Sequence, residues 1–146
     1  MIELIQEQVY QGLWRQLNNC IESEVAEEFL QTLLTLMKIM FVIQPDYRRN
    51  IVNFNGRYQF ASKDGEVTVA AIFGKNRMKV VEGTIKDPNI TVTFRSGKAL
   101  LNFLLSPKQD ILISMLNREI QTNGNLNYIS KFGYMSKRLL QLMPRL

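Results

Sequence analysis

The sequence contains no histidine. Its absence removes the side chain that changes charge nearest neutral pH, and with it the commonest metal ligand. There is a single cysteine, Cys20, so neither an intramolecular disulfide nor a thiolate metal cluster can form. A small buried or half-buried residue on a helix is expected there. No clean long apolar run occurs either. The most apolar stretch, Phe29 to Ile43, is broken by Gln31, Thr32 and Lys38. It falls short of the roughly 20 apolar residues a membrane span needs, and a buried helix is expected instead. Met1-Ile2-Glu3-Leu4 shows no basic segment leading into an apolar core, so no secretory signal is expected and a cytoplasmic location is. Dense basic arms are missing too. The 18 basic and 13 acidic residues leave a net charge of +5, and the basic ones are scattered. Nucleic-acid binding is therefore not expected, whereas transient contact with an anionic membrane surface is compatible with the charge.

What is present is an ordinary globular composition. Apolar residues make up 46 % of the 146 and charged residues 21 %, enough for one domain with a core. Leu4 to Leu17 repeats apolar residues at helical spacing, with Ile5, Val9 and Leu13 beside Tyr10, Trp14 and Leu17. Asn18-Asn19 is expected to interrupt this helix, and Ser23 or its neighbourhood to cap a second one running to about Ile43 before Pro45. That second helix is apolar nearly all round, which predicts cover on more than one side from the first helix, the sheet or a second subunit. The period then changes. Arg57–Phe60, Glu66–Phe73, Arg77–Val81 and Ile90–Phe94 read as four short strands joined by turns, in an antiparallel meander. Tyr47 to Asn55 fits either the helical part or the first strand. Ser96 caps a leucine-rich short helix. Ser106-Pro107 opens another, with Ile111, Leu112, Met115 and Leu116 as its apolar stripe. A strand at Glu119–Thr122 and a turn at Asn123-Gly124-Asn125 lead to a last helix. It spans about Leu126 to Leu142, with Ile129, Phe132, Met135, Leu139 and Leu142 as its stripe and Pro144 as its stop. The expected class is α+β: one antiparallel or mixed five-stranded sheet covered by helices, with an extra N-terminal helix.

No constellation for catalysis emerges. The serines lack a nucleophile-elbow setting, and Asp64, Asp87 and Asp110 sit where aspartate has turn or capping duties. The glycines do not form a phosphate cradle. No enzyme activity, cofactor or metal is expected. The last third is instead rich in apolar residues, Met143 among them, which suits either a tight core or a lined cavity. Gly133 stands within the last helix, where glycine costs about 1 kcal/mol against alanine. It serves either close packing or space for a ligand. Arg95, Asn117, Arg118, Asn127 and Tyr128 are candidates to orient a headgroup.

Several fragments, in order, resemble the sterol-carrier-protein type-two family. They are Asp87-Pro88-Asn89-Ile90-Thr91-Val92-Thr93-Phe94, Leu100-Leu101-Asn102-Phe103-Leu104-Leu105, Ile111 through Ile120, and Thr122-Asn123-Gly124-Asn125-Leu126. Asn55-Gly56-Arg57-Tyr58-Gln59-Phe60 and Lys79-Val80-Val81-Glu82-Gly83 look like that family's first and third strands. The resemblance covers roughly residues 24–142. It implies a tunnel between the sheet and the C-terminal helices that holds a fatty acyl chain, phospholipid or isoprenoid lipid without catalysis. The lining residues it favours, together with the apolar pattern, are Phe103, Leu104, Ile111, Met115, Phe132, Gly133, Met135 and Leu139. Ser106-Pro107-Lys108-Gln109 replaces the family's glycine-rich turn, and the helix bearing Trp14 lies outside the common core, which points away from sterol specificity. The expected organisation is a helical extension over 1–22 and a sterol-carrier-like lipid-binding domain over 23–146, with a homodimer formed through the N-terminal helices as one option. The alternative is an accessory or assembly protein that uses the same fold with its cavity filled by side chains.

Overall fold

The computed structural model describes residues 2–106 and 109–142, with side chains from residue 8 onward. The expectations for the Ile5 side chain, Pro107, Met143 and Pro144 fall outside the described residues.

Helix α1 (Ile2–Ser23) runs straight through Asn18 and Asn19. The expected interruption does not occur. Asparagine costs a few tenths of a kcal/mol in a helix, whereas continuing it keeps Leu13, Leu17 and Cys20 on one face. Trp14, Leu17 and Cys20 are buried, and burying each large apolar group is worth about 1.5–3 kcal/mol. The chain turns at Glu24, whose φ is +56°. The Val25 N–H donates to the Cys20 carbonyl at 3.1 Å, a Schellman-type closure with a non-glycine residue in the left-handed position. Ser23 therefore ends α1 rather than capping α2 (Ala26–Ile43), whose N-cap is Val25, without a side-chain bond.

Helix α2 is covered on several sides, by α1, by the sheet and by the C-terminal helices. Leu30, Leu33, Leu34, Leu36 and Met37 have no exposed surface. Beyond it, Pro45 opens the single turn α3 (Pro45–Arg48) at a first-turn position, so the ambiguous stretch from Tyr47 is helical at its start. Arg48 Nε donates to the Phe41 carbonyl at 2.6 Å and its terminal nitrogen to that of Val42 at 2.7 Å. A cation thus closes the carbonyl end of α2.

Five strands follow: β1 (Gly56–Ser62), β2 (Thr68–Gly74), β3 (Arg77–Glu82), β4 (Ile90–Phe94) and β5 (Ile120–Gly124). Lys75 and Asn76, both with positive φ, turn β2 into β3. The sheet order is β3-β2-β1-β4-β5. The expected meander is corrected here. β4 does not pair with β3 but crosses to lie parallel to β1, with Tyr58 opposite Ile90 and Phe60 opposite Val92. The connection through residues 83–89 is fastened over the outer face of β1. Gln59 is 5 % exposed; its Nε2 donates to the Gly83 carbonyl at 3.1 Å and its Oε1 accepts from Ile85 N–H at 2.8 Å. Arg57 donates to the Lys86 carbonyl at 2.8 Å. The sheet is therefore mixed.

After β4, Ser96 caps α4 (Gly97–Leu105) by accepting from Ala99 N–H, as expected. Asp110 caps α5 (Ile111–Leu116), accepting from Ile113 N–H. Helix α6 (Leu126–Gln141) closes the fold, with Ile129, Phe132, Met135, Ser136 and Leu139 buried. Two buried tyrosines hold it in place. Tyr47 donates to the Met135 carbonyl at 2.8 Å and Tyr58 to the Tyr128 carbonyl at 2.7 Å. Burial pushes both hydroxyls up from their ordinary pKa, so they remain donors.

Candidate functional site

Between α6 and the α4–α5 segment lies an open cleft of about 250 Å³. Its walls are Phe103, Gln109, Ile111 and Ile129, and its rim carries Ser130, Gly133, Tyr134 and Lys137. The last four are spaced i, i+3, i+4 and i+7, so they occupy one face of α6. The core stripe of α6 lies on a different face. Gly133 is what keeps the cleft open along the helix. A Cβ there would meet Gln109 Oε1 at 2.9 Å, and Gln109 is itself held by donating to the Leu104 carbonyl at 3.1 Å.

Behind the cleft is a second space, wholly apolar and nearly closed. It amounts to about 10 Å³ and is bounded by Tyr58, Phe60, Val92 and Phe94 from the sheet and Phe103, Leu104, Ile129 and Phe132 from the helices. Phe103 and Ile129 border both spaces, so they form the partition between them. The aromatic rings fill most of the inner region. Phe60 and Phe132 stand 4.9 Å apart between centroids, Tyr58 and Phe132 5.7 Å, and Phe94 and Phe103 6.2 Å. Interior packing of this kind leaves no room for a chain molecule until a ring moves.

The eight expected lining residues divide. Phe103, Ile111 and Gly133 line the cleft, and Phe103, Leu104 and Phe132 line the inner space. Met135 and Leu139 are fully buried on the core stripe and border neither. Met115 is half-buried against β5, near Thr122. The stripe expected for α5 is not covered. No residue of α5 is buried, and Leu112 and Leu116 are 61 % and 82 % exposed. The proposed headgroup residues also lie elsewhere. Arg95 pairs with Glu119 at 2.7 Å, Asn117 ends α5, Arg118 and Asn127 are exposed, and the Tyr128 ring packs on Tyr58 at 5.8 Å. The polar groups at the mouth are instead Gln109, Ser130, Tyr134 and Lys137. The regular spacing of Ser130, Tyr134 and Lys137 about Gly133 on α6, and the inward alternation of Tyr58 with Phe60 and of Val92 with Phe94, are the sequence signals that could have located the rim and the inner space.

A larger depression, about 530 Å³, lies at the start of α2 among Glu24, Glu27, Glu28, Glu66 and Glu82. Among these five carboxylates, Glu27 and Glu82 have structural partners: Glu27 accepts from Thr68 N–H at 3.1 Å, and Glu82 accepts from Gln31 at 2.9 Å. Among the described residues no group of three or more His, Cys, Asp or Glu side chains is placed to hold a metal ion. None of the described helices is long and apolar enough to cross a membrane.

No protein-family model matches the chain, and no curated protein matches it. Solved structures do. The ubiquinone synthesis protein UbiJ-SCP2 aligns with a TM-score of 0.56 at 14 % identity, over 73 % of this chain and 90 % of that one. Sterol carrier protein domain 2 of Helicoverpa armigera aligns with a TM-score of 0.53 at 16 % identity, over 84 % and 95 %. The inverting sec-alkylsulfatase Pisa1 from Pseudomonas sp. aligns with a TM-score of 0.57 at 13 % identity, over 71 % of this chain but 16 % of the sulfatase. With its mixed five-stranded sheet, covering helices and N-terminal helix, the chain has the sterol-carrier-protein type-two fold.

Proposed function

We propose that the chain binds and carries a long apolar ligand, a fatty acyl, phospholipid or isoprenoid lipid, between its sheet and α6, with access through the cleft beside Gly133. The observation that carries this reading is the shared wall. Phe103 and Ile129 separate an open cleft from an apolar space lined by eight carbon-rich side chains. Ligand sites usually measure about 300–1,000 Å³, more than the cleft alone offers. Rotation of the half-buried Phe103 ring joins the two spaces. The ligand's chain then lies against Phe60, Phe132 and Leu104, and its polar end meets Gln109, Ser130, Tyr134 and Lys137. An ammonium and a phenol at the mouth suit an acidic headgroup. The lining supplies contact area and orientation rather than a reacting group, so the role is carriage, not chemistry. In this reading residues 23–146 form the lipid-binding unit and residues 1–22 an added helical cover.

A second reading follows from the packed rings. If Phe103 does not move, the core is filled, and the chain serves as an accessory or assembly protein, as the resemblance to a ubiquinone synthesis protein also suggests. Native mass spectrometry of gently purified protein separates the two. A co-purifying lipid, or saturable uptake of a long-chain fluorescent fatty acid, supports carriage. Absence of both supports the filled core.

A further inference from the structure

Helix α5 is where an apolar surface faces outward. Leu112, Ile113 and Leu116 are 61 %, 54 % and 82 % exposed. Their spacing sets Leu112 and Ile113 one turn from Leu116, so all three share one side of a short helix. Leu105, at 38 % exposure, ends the preceding helix. Isolated exposed apolar residues are ordinary, but a contiguous group of this size marks a contact surface. It adjoins the cleft, whose wall begins at Ile111, the first residue of the same helix.

Charge identifies what the surface meets. Residues 1–96 contain 11 basic and 11 acidic residues and are neutral overall. The whole net charge of +5 falls in residues 97–146, a stretch whose sequence has seven basic residues and two acidic ones, Asp110 and Glu119. Both acids are engaged, Asp110 in capping α5 and Glu119 in its pair with Arg95 at 2.7 Å. The cleft, the apolar helix and the positive charge thus belong to one third of the chain. An amphipathic phenol, Tyr134, 56 % exposed, stands at the cleft rim beside Lys137. Arg118, exposed, follows the Asn117 cap of α5, and Lys137 stands on the cleft rim. Apolar side chains beside such cations, with an aromatic at the boundary, form the combination that seats a protein on an anionic bilayer.

We infer that α5 is a membrane-docking element, which inserts Leu112, Ile113 and Leu116 among anionic lipids and sets the cleft mouth against the bilayer. This rests on the ligand-binding reading only for the purpose of docking. The docking itself needs no cargo and is measured apart from it. Flotation of the full chain with phosphatidylcholine vesicles, with and without phosphatidylglycerol, tests it at low and raised salt. The variant combines Leu112→Ser, Ile113→Ser and Leu116→Ser. All three positions are exposed, so unchanged thermal unfolding confirms that the fold persists. The expected result is flotation with the anionic vesicles only, weakened by salt and reduced about tenfold or more in the variant. Three results overturn the inference: no flotation of the wild type, flotation equal in the variant, or self-association of the wild type that the variant abolishes, which would assign the face to a second copy. Uptake of a fluorescent fatty acid by wild type that fails to float would sink the docking and leave ligand binding standing.

Discussion

Replacing Phe103 by alanine removes the ring that stands between the open cleft and the apolar space behind it. A fully buried phenylalanine cut to alanine costs about 3–5 kcal/mol. Phe103 is half-buried and borders a cleft that already opens to solvent, so about half of that, roughly 2 kcal/mol, is expected. For a chain of this length each kcal/mol shifts Tm by about 3–4 °C, so the midpoint falls by roughly 6–8 °C. Binding moves the other way. If the ring must swing aside before a lipid enters, part of the binding energy is spent on displacing it. Removing a displacement worth about 1.4 kcal/mol raises apparent affinity about tenfold. Titration with a fluorescent long-chain fatty acid reads this directly. Met135→Ala is the control, because Met135 is fully buried yet borders neither space. It should destabilise by about 2–5 kcal/mol and gain no affinity. If Phe103→Ala instead weakens binding in step with Met135→Ala, the ring is core filling and the partition argument is wrong.

Gly124→Ala should unfold at much lower urea. Gly124 has φ +127°, and a Cβ there runs into the Asn89 carbonyl oxygen and comes within 2.9 Å of Ile90 Cα. Those are backbone atoms of the neighbouring strand and cannot yield, so a loss of about 3 kcal/mol or more is expected. Tyr58→Phe removes the 2.7 Å bond to the Tyr128 carbonyl and should lower the urea midpoint by about 1 kcal/mol equivalent, with the slope unchanged. Asp64 links its turn to α4: its carboxylate accepts from Ser62 Oγ and from the N–H groups of Glu66 and Gly97. Those bonds, the Ser62 hydroxyl first, hold its pKa below the ordinary 3.8. The folded state therefore binds fewer protons. Its contribution is complete above pH 3.8 and is lost as pH falls through the lower folded value. The Tm difference between wild type and Asp64→Asn should narrow between about pH 5 and about pH 2. A difference that stays constant over that range would refute the assignment.

The elements that the sequence specified most clearly are those where a period repeats without interruption. The inward alternation of Ile90, Val92 and Phe94 appears as read, and so does the last helix's stripe from Ile129 to Leu139; its expected final member, Leu142, lies past the end of α6 and is exposed. The pairing of β4 with β1 was not legible. It depends on Gln59 and Arg57 fastening the 83–89 connection across the outer sheet face, and single polar residues leave no period. Continuation of α1 past Asn18-Asn19 depended on burial of Cys20 against α2, a tertiary gain that overrides a weak local preference.

At the site, Phe103 and Gly133 were legible because an aromatic in a leucine run and a glycine in a helix both stand out. Met135 and Leu139 were assigned to the lining because apolar spacing shows which face is apolar, not whether it meets protein, ligand or solvent. The same limit explains α5, whose stripe was expected to be covered and is exposed at Leu112 and Leu116. The rim of Ser130, Tyr134 and Lys137 was hidden by its polarity, although its spacing about Gly133 is regular.

The most direct test of the account is to close the cleft at its glycine. Gly133→Leu extends a branched side chain toward Gln109, in space the ligand would cross. The helix gains about 0.8 kcal/mol from the loss of glycine, which offsets much of the roughly 1 kcal/mol cost of moving the Gln109 amide off its bond to the Leu104 carbonyl. The variant should fold, as circular dichroism and thermal unfolding will show. Titrated with a fluorescent long-chain fatty acid, the wild type should bind it saturably, one to one, and Gly133→Leu about tenfold more weakly or not at all. Equal binding by both proteins, or saturable binding by neither, would contradict a lipid site reached through this cleft.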